Sequence, residues 1–311
     1  MMKMINKKLT AAMMLGLALT FGNVYNTSIV AASGTEANVA VSVNMYQNGT
    51  VNWTKGAESD IVAIGVGYPP ENVGNRGNVL ARRAAIVDAY RLLAETIQGV
   101  QVDSETTVES LVLQSDVVKA RVSALVKGAH VIEEGSNEDG SYFVKLRIPL
   151  FGTGNSLANA VLPEVTKNVK KEPAIKIDTK TTVLSKDVIQ EIKTVNYTGV
   201  IVDASNLGLE ATFAPVIYDK NGRAIYGIQN IDKDFAISKG MVEYAADLQK
   251  AAGGFTRAGN NPLIVKALAV KGGLNSVNPV NVVVSVEDGD KILLANEQAD
   301  IFNQCAVVFV K

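Results

Sequence analysis

Cysteine, histidine and tryptophan each occur only once in this sequence of 311 residues. A single cysteine excludes a disulfide scaffold, and one imidazole with one thiol leaves little for catalysis near neutral pH. An excess of charge of one sign is also missing, since the formal net charge is −1. This balance lacks the basic surplus typical of nucleic-acid-binding proteins. Because 47% of the residues are hydrophobic, the chain is an ordinary globular protein and not a disordered one.

The first 32 residues have the pattern of a secretory signal peptide. Lys3, Lys7 and Lys8 precede an apolar run at 9–22, and the small residues Val30-Ala31-Ala32 follow it. The run is shorter than the roughly 20 residues that a membrane-spanning helix needs. We therefore predict an exported protein of the periplasm or cell surface, with no transmembrane span after cleavage. An uncleaved anchor is the alternative, and peripheral membrane association stays open.

The remaining chain predicts two domains of the α+β or α/β class. The first, 33–152, is predicted as ββ-β-α-β-α-ββ, a mixed sheet with two helices. Segment 153–196 is predicted as a lysine-rich linker, because glycine and proline interrupt its pattern and acidic residues alternate with its lysines. The second domain, 197–311, is predicted as a smaller, strand-rich α/β unit.

Hydrophobic periodicity and turn residues place the individual elements. In the first domain the predictions are a hairpin at Asn48-Gly49, a strand at 60–67, a helix at 78–98, a strand at 100–113, a Ser115-capped helix at 116–127, and a hairpin turning at Asp139-Gly140. In the second domain they are strands on either side of a turn at 206–208, a turn at 220–222, a helix at 238–251, strands at 262–271 and 280–286, a helix at 288–299, and a strand at 303–310.

Two short motifs resemble ligand-binding loops and fail. Gly65-Val66-Gly67 lies between a strand and a helix, but Pro70 stands where the third glycine of a dinucleotide fingerprint belongs. We interpret these glycines as letting the strand leave its sheet. A sequence starting at Asp219 resembles a calcium loop, but Gly222 follows three residues later and not five. A hairpin turn explains it better.

The remaining candidates for chemistry are isolated or ambiguous. His130 has no cysteine or histidine companion for a metal site, and Cys305 is predicted to be a buried, inert thiol. Asp103, Glu105 and Glu109 would share one face of the predicted strand at 100–113. They suit either acid–base hydrolysis or a solvated sheet edge. We therefore predict no catalytic residues, no metal and no cofactor, and expect that the protein is not an enzyme.

Several strings carry a family resemblance: NWTKG at 52–56, IVAIGVGYPP at 61–70, and above all AAIVDAYRLLAE with the residues that follow it, up to Val131, and then 139–152. They resemble the LPP-twenty lipoprotein family, and the helix and following strand are similar to the N-terminal domain of flagellar assembly protein T. The second unit looks like a domain found beside it in exported bacterial proteins. The resemblance implies an envelope or surface protein with envelope or flagellar partners and no established enzymatic activity. The lipidation cysteine of the family is missing here.

The leading hypothesis is a non-enzymatic exported envelope protein that acts through protein–protein assembly, at a flagellar or export structure. The alternatives are a periplasmic binding module for a small or glycan ligand in the inter-domain cleft, and a hydrolase using the three carboxylates. Arg82 and Arg83 on the first helix are the candidate partner contacts, because arginine is enriched at interfaces. Adjacent arginines also occur on plain solvated helices.

Overall fold

Residues 49–54 and 58–311 are described by the computed structural model. The predicted signal peptide, and Asn48 of the predicted hairpin, lie outside these residues. Within the described part, three four-stranded sheets combine with eight α-helical segments. The predicted fold class, α+β or α/β, is therefore confirmed.

The N-terminal part contains one sheet, in the strand order β1-β2-β4-β3, covered by helices. Its elements are β1 (Thr50–Asn52), β2 (Asp60–Gly67), α1 (Gly77–Gln98), α2 (Val108–Gln114), α3 (Asp116–Lys127), β3 (His130–Ser136) and β4 (Tyr142–Pro149). All pairings among these four strands are antiparallel. The prediction of a mixed sheet with two helices was wrong in this detail, whereas the helices at 78–98 and 116–127 and the hairpin at Asp139-Gly140 are confirmed.

Small residues bring α1 unusually close to β2. Ala81, Ala85 and Ala89 lie on the buried face of α1. A Cβ atom at Gly65 would lie 2.1 Å from the backbone nitrogen of Ala89, and one at Gly67 would lie 2.1 Å from the carbonyl oxygen of Ala81. Gly67 does lie at the end of β2, as predicted. For both glycines, however, the close approach of the α1 backbone leaves no room for a side chain.

The predicted strand at 100–113 was wrong. A loop and α2 occupy this segment, and Thr107 begins the helix. The Thr107 hydroxyl accepts a hydrogen bond from the Ser110 backbone nitrogen at 3.2 Å, and Ser110 Oγ accepts one from the Thr107 nitrogen at 3.1 Å. Threonine favours β-strands in general, but the Thr107 side chain caps a helix instead.

The C-terminal part contains two sheets, with strand orders β10-β11-β6-β7 and β8-β12-β5-β9. The strands are β5 (Gly199–Asp203), β6 (Ile217–Asp219), β7 (Ala224–Tyr226), β8 (Glu243–Ala245), β9 (Pro262–Lys266), β10 (Ala269–Lys271), β11 (Asn281–Val284) and β12 (Val307–Val310), and the helices are α6 (Lys233–Lys239), α7 (Leu248–Lys250) and α8 (Val286–Ala299). The predicted turn at 220–222, the helix at 288–299 and the last strand are confirmed. Sheet β8-β12-β5-β9 is parallel throughout.

The predicted helix at 238–251 was wrong. Gly240 ends α6 with a φ of +81°, and the chain then runs into β8. The Tyr244 ring in β8 is buried and packs edge-on against Phe309 at a centroid distance of 6.1 Å. Pairing with β12 therefore decides the structure of a segment whose apolar spacing alone resembles a helix.

Segment 153–196, predicted as a linker, contains α4 (Leu157–Val165) and α5 (Lys186–Thr194). Leu157, Val161 and Leu162 of α4 are buried in the main hydrophobic core. The domain boundaries at 152 and 197 stay predictions.

Aromatic rings fill a seam between the N-terminal and C-terminal parts. Trp53 packs against Phe213 at 5.0 Å, against Tyr244 at 5.8 Å and against Phe151 at 6.2 Å between ring centroids. Nearby, the backbone nitrogen of Ala214 donates to the Val102 carbonyl at 2.8 Å. The two parts thus share one continuous apolar core.

Candidate functional site

Helix α1 leaves an apolar, basic stripe in solvent on the side opposite its buried alanines. The stripe consists of Arg76, Val79, Leu80, Arg83 and Val87, whose three- and four-residue spacing places them on one side of a helix. Val79 is 54% exposed and Val87 is 69% exposed. We name these five residues the outer face of α1.

A groove lies at the N-terminal end of this face. Val73, from the loop before α1, lines a cavity of about 490 Å³ together with four outer-face residues, Arg76, Val79, Leu80 and Arg83. The cavity is open to solvent, and apolar side chains contribute most of its lining. Its shape suits insertion of an apolar side chain from a partner.

The structure separates the two arginines that sequence reasoning put forward together. Arg82 turns toward β3, where its Nε and Nη2 atoms donate to the carboxylate of Glu134 at 2.9 and 3.1 Å. The hydrogen bond and charge of Glu134 raise the pKa of Arg82. Arg83 makes no hydrogen bond or ion pair with any described residue. Of these two arginines, only Arg83 therefore remains available for a partner.

The outer face is also electropositive. Five of the eight arginines form ion pairs: Arg82, Arg91, Arg147, Arg223 and Arg257. Of the remaining three, Arg76 and Arg83 lie on the outer face. The first turn of α1 contains no acidic residue, so nothing there offsets the positive end of the helix dipole. Both effects favour an anionic partner group.

Comparison with known proteins finds a family model whose match includes this helix. Residues 52–148 match the LPP20 lipoprotein model. The match confirms the family resemblance carried by the sequence strings, and it contains α1 with its complete outer face. Residues 199–311 match a second model, Treponema pallidum Tp0624, second domain. The two matches fit the predicted two-domain arrangement, and no curated protein matches the chain.

We call the matched residues 52–148 the LPP20 region. Its three candidate carboxylates, Asp103, Glu105 and Glu109, do not lie together on one face of a strand. Asp103 Oδ1 accepts hydrogen bonds from the backbone nitrogens of Glu105 and Thr106, both at 2.8 Å. Glu105 Oε1 accepts from the Leu274 nitrogen at 2.7 Å, which links the LPP20 region to the C-terminal part. Glu109 lies in the first turn of α2. Each carboxylate thus has a local structural environment of its own.

The single histidine is exposed, whereas the single cysteine is buried. His130 is exposed at the start of β3 in the LPP20 region. Among the described residues, no group of three or more His, Cys, Asp or Glu side chains is placed to hold a metal ion. Cys305 is fully buried, as predicted, and burial raises the pKa of its thiol. The thiol therefore stays protonated at neutral pH.

A buried charge cluster outside the LPP20 region was missed by sequence reasoning. Arg223 Nε donates to Asp219 Oδ2 at 2.9 Å, and Arg223 Nη2 donates to Asp290 Oδ1 at 2.5 Å. Thr182 donates to the other oxygen of Asp290. Burial lowers the pKa of Arg223, but the two carboxylates more than offset this effect and raise it overall. Because these charged and polar groups pair with one another, the cluster connects β6, α8 and the segment around Thr182.

Asp219 also confirms the predicted hairpin turn. Its Oδ1 atom accepts hydrogen bonds from the backbone nitrogens of Asn221 and Arg223, at 2.9 and 3.0 Å, and Gly222 has a φ of +85°. These contacts use the carboxylate within the turn.

Among the residues that the structure describes, no helix is long and apolar enough to cross a membrane.

Proposed function

We propose that this protein is a non-enzymatic, exported envelope protein that acts by assembling with another envelope protein through the outer face of α1. The LPP20 lipoprotein match and the secretory pattern of the first 32 residues support export to the periplasm or cell surface. Components of a flagellar or export structure are the partners that we would look for first.

The observation that carries this proposal is the composition of the outer face. Val79 and Leu80 expose apolar surface between Arg76 and Arg83, two arginines that have no partner among the described residues, and Val87 extends this apolar surface one turn beyond Arg83. Single exposed apolar residues are ordinary, but a contiguous apolar stripe with unpaired arginines has the composition of an interface centre. A binding site in the inter-domain cleft has less support, because aromatic rings occupy the seam described above.

In-cell crosslinking tests the assembly role. A photo-crosslinking amino acid at position 87 should give adducts with envelope proteins, identified by fractionation and mass spectrometry. Position 117 on α3, where Val117 is 51% exposed, is the matched control and should give none. Adducts from position 117 alone would move the interface to α3, and a protein that forms adducts from neither position would refute the assembly role.

A second measurement tests export independently. N-terminal sequencing of the protein recovered from the envelope should give Ser33 as the first residue. Recovery of a chain that still begins at Met1 in the cytoplasm would refute the proposed location.

A further inference from the structure

We infer that the outer face of α1 binds an acidic amphipathic helix of another protein. This inference rests on the proposed function and adds the chemistry of the partner. It follows from the dimensions of the face, from its charges, and from how poorly other occupants suit it.

The dimensions match one short helix. Residues 76 to 87 extend over about 16 Å of helix axis, or roughly three turns. The exposed side chains of Val79, Leu80 and Val87 lie along this length, and the groove beside Val73 is open to solvent. A helix packing here would place an apolar side chain in the groove and others along the stripe, as ridges pack into grooves between helices.

The charges specify carboxylates on that helix. Arg76 and Arg83 are seven residues apart, which is about 10 Å along the axis, or two helical turns. Acidic residues at the same seven-residue interval on a partner helix would meet both guanidinium groups. Arginine and carboxylate form paired, charge-assisted hydrogen bonds, which are stronger than neutral ones. The positive end of the α1 dipole favours the same carboxylates.

Two other occupants fit less well. A second copy of the chain, packed about a two-fold axis, would bring the Arg76–Arg83 face against an identical basic face, and like charges repel. An anionic membrane favours a broad basic surface. Farther along α1, however, Arg91 is already neutralised by Asp88 and Glu95, at 2.8 Å each.

The test uses two synthetic amphipathic peptides of about 18 residues, or five helical turns. Both carry the same leucine face, and they differ only in having glutamate or lysine beside it. The complete mature chain should bind the glutamate peptide at least about tenfold more tightly than the lysine peptide. The double variant R76E/R83E should reverse this preference, which loss of folding would not do. R121E is the matched control and should leave the preference unchanged, because Arg121 on α3 also lacks an ion pair among the described residues.

Equal binding of both peptides, or an unchanged preference in R76E/R83E, would overturn the inference. Binding of the chain to phosphatidylglycerol vesicles but to neither peptide would also overturn it. If position 87 still crosslinks to an envelope protein in R76E/R83E cells, the assembly role stands and the acidic helix is refuted. Loss of that crosslink in R76E/R83E but not in R121E supports the acidic partner.

Discussion

At the scale of single residues, Gly65 lies where the backbone of β2 closely approaches that of α1. A Cβ atom there would lie 2.1 Å from Ala89 N and 2.3 Å from Ala85 O, and neither backbone atom can rotate away. We expect Gly65→Ala to lower the free energy of unfolding by about 1–3 kcal/mol, the usual cost of overpacking. Urea denaturation followed by circular dichroism measures this change.

Gly154→Ala provides the control for that measurement. Gly154 is exposed, and no atom lies within 4 Å of the position that its Cβ would take. This substitution should not lower the stability. Equal stability of the Gly65→Ala variant and the wild type would contradict the close contact between α1 and β2.

Cys305 gives a second prediction at the residue scale. Because the thiol is fully buried and burial raises its pKa, the reactive thiolate is scarce in the native protein. We expect Ellman's reagent to leave Cys305 unmodified in native buffer and to label one thiol per chain in denaturing urea. Rapid labelling of the native protein would contradict the burial.

At the scale of the elements, Arg223 joins the β6–β7 hairpin to α8. Asp219 and Asp290 are 2% and 3% exposed, so removing the guanidinium leaves two buried carboxylates without a cation. We expect Arg223→Ala to lower the free energy of unfolding by about 2–4 kcal/mol at neutral pH. This range lies below the full cost of breaking a buried pair, because the Arg223 side chain is 31% exposed. Urea unfolding of variant and wild type measures the difference.

The elements that the sequence predicts well are those with a strong local signal. The alanine stripe and the Ser115 cap mark α1 and α3, and turn residues mark both hairpins. The two segments whose type of element was predicted wrongly have different causes. At 100–113, Thr107 caps a helix where its residue type favours a strand. At 238–251, Gly240 and the pairing of β8 with β12 override the helical spacing.

Only part of the candidate site could be predicted from the sequence. Arg82 and Arg83 are neighbours, and what distinguishes them is Glu134, which is 52 positions beyond Arg82. The buried cluster depends likewise on Arg223 and Asp290, which are 67 positions apart. The apolar members of the outer face were within reach, since Val79, Leu80 and Val87 follow Arg76 and Arg83 at helical spacing. A pattern of this kind on the side opposite the buried alanines is the local signal that could have found them.

At the scale of the whole molecule, the question is whether the N-terminal and C-terminal parts unfold together. Trp53, the one tryptophan of the chain, lies in the aromatic seam and contacts Phe213 and Tyr244 from the C-terminal part. Its fluorescence therefore reports on the contact between the two parts, while circular dichroism reports on the whole chain. Because one hydrophobic cluster extends through both parts, we expect both signals to give the same unfolding transition in urea.

Phe213→Ala should shift that common transition without splitting it. Phe213 is 1% exposed and packs against Trp53 and Phe151, so its truncation should cost about 3–5 kcal/mol. Phe255→Ala removes the same side chain at a position that is 90% exposed and should leave the transition in place. If fluorescence of the Phe213→Ala variant changed at a lower urea concentration than its circular dichroism, the two parts would be separable. Their contact would then be a docking of two independently stable domains, and the shared core would not be needed for either to fold.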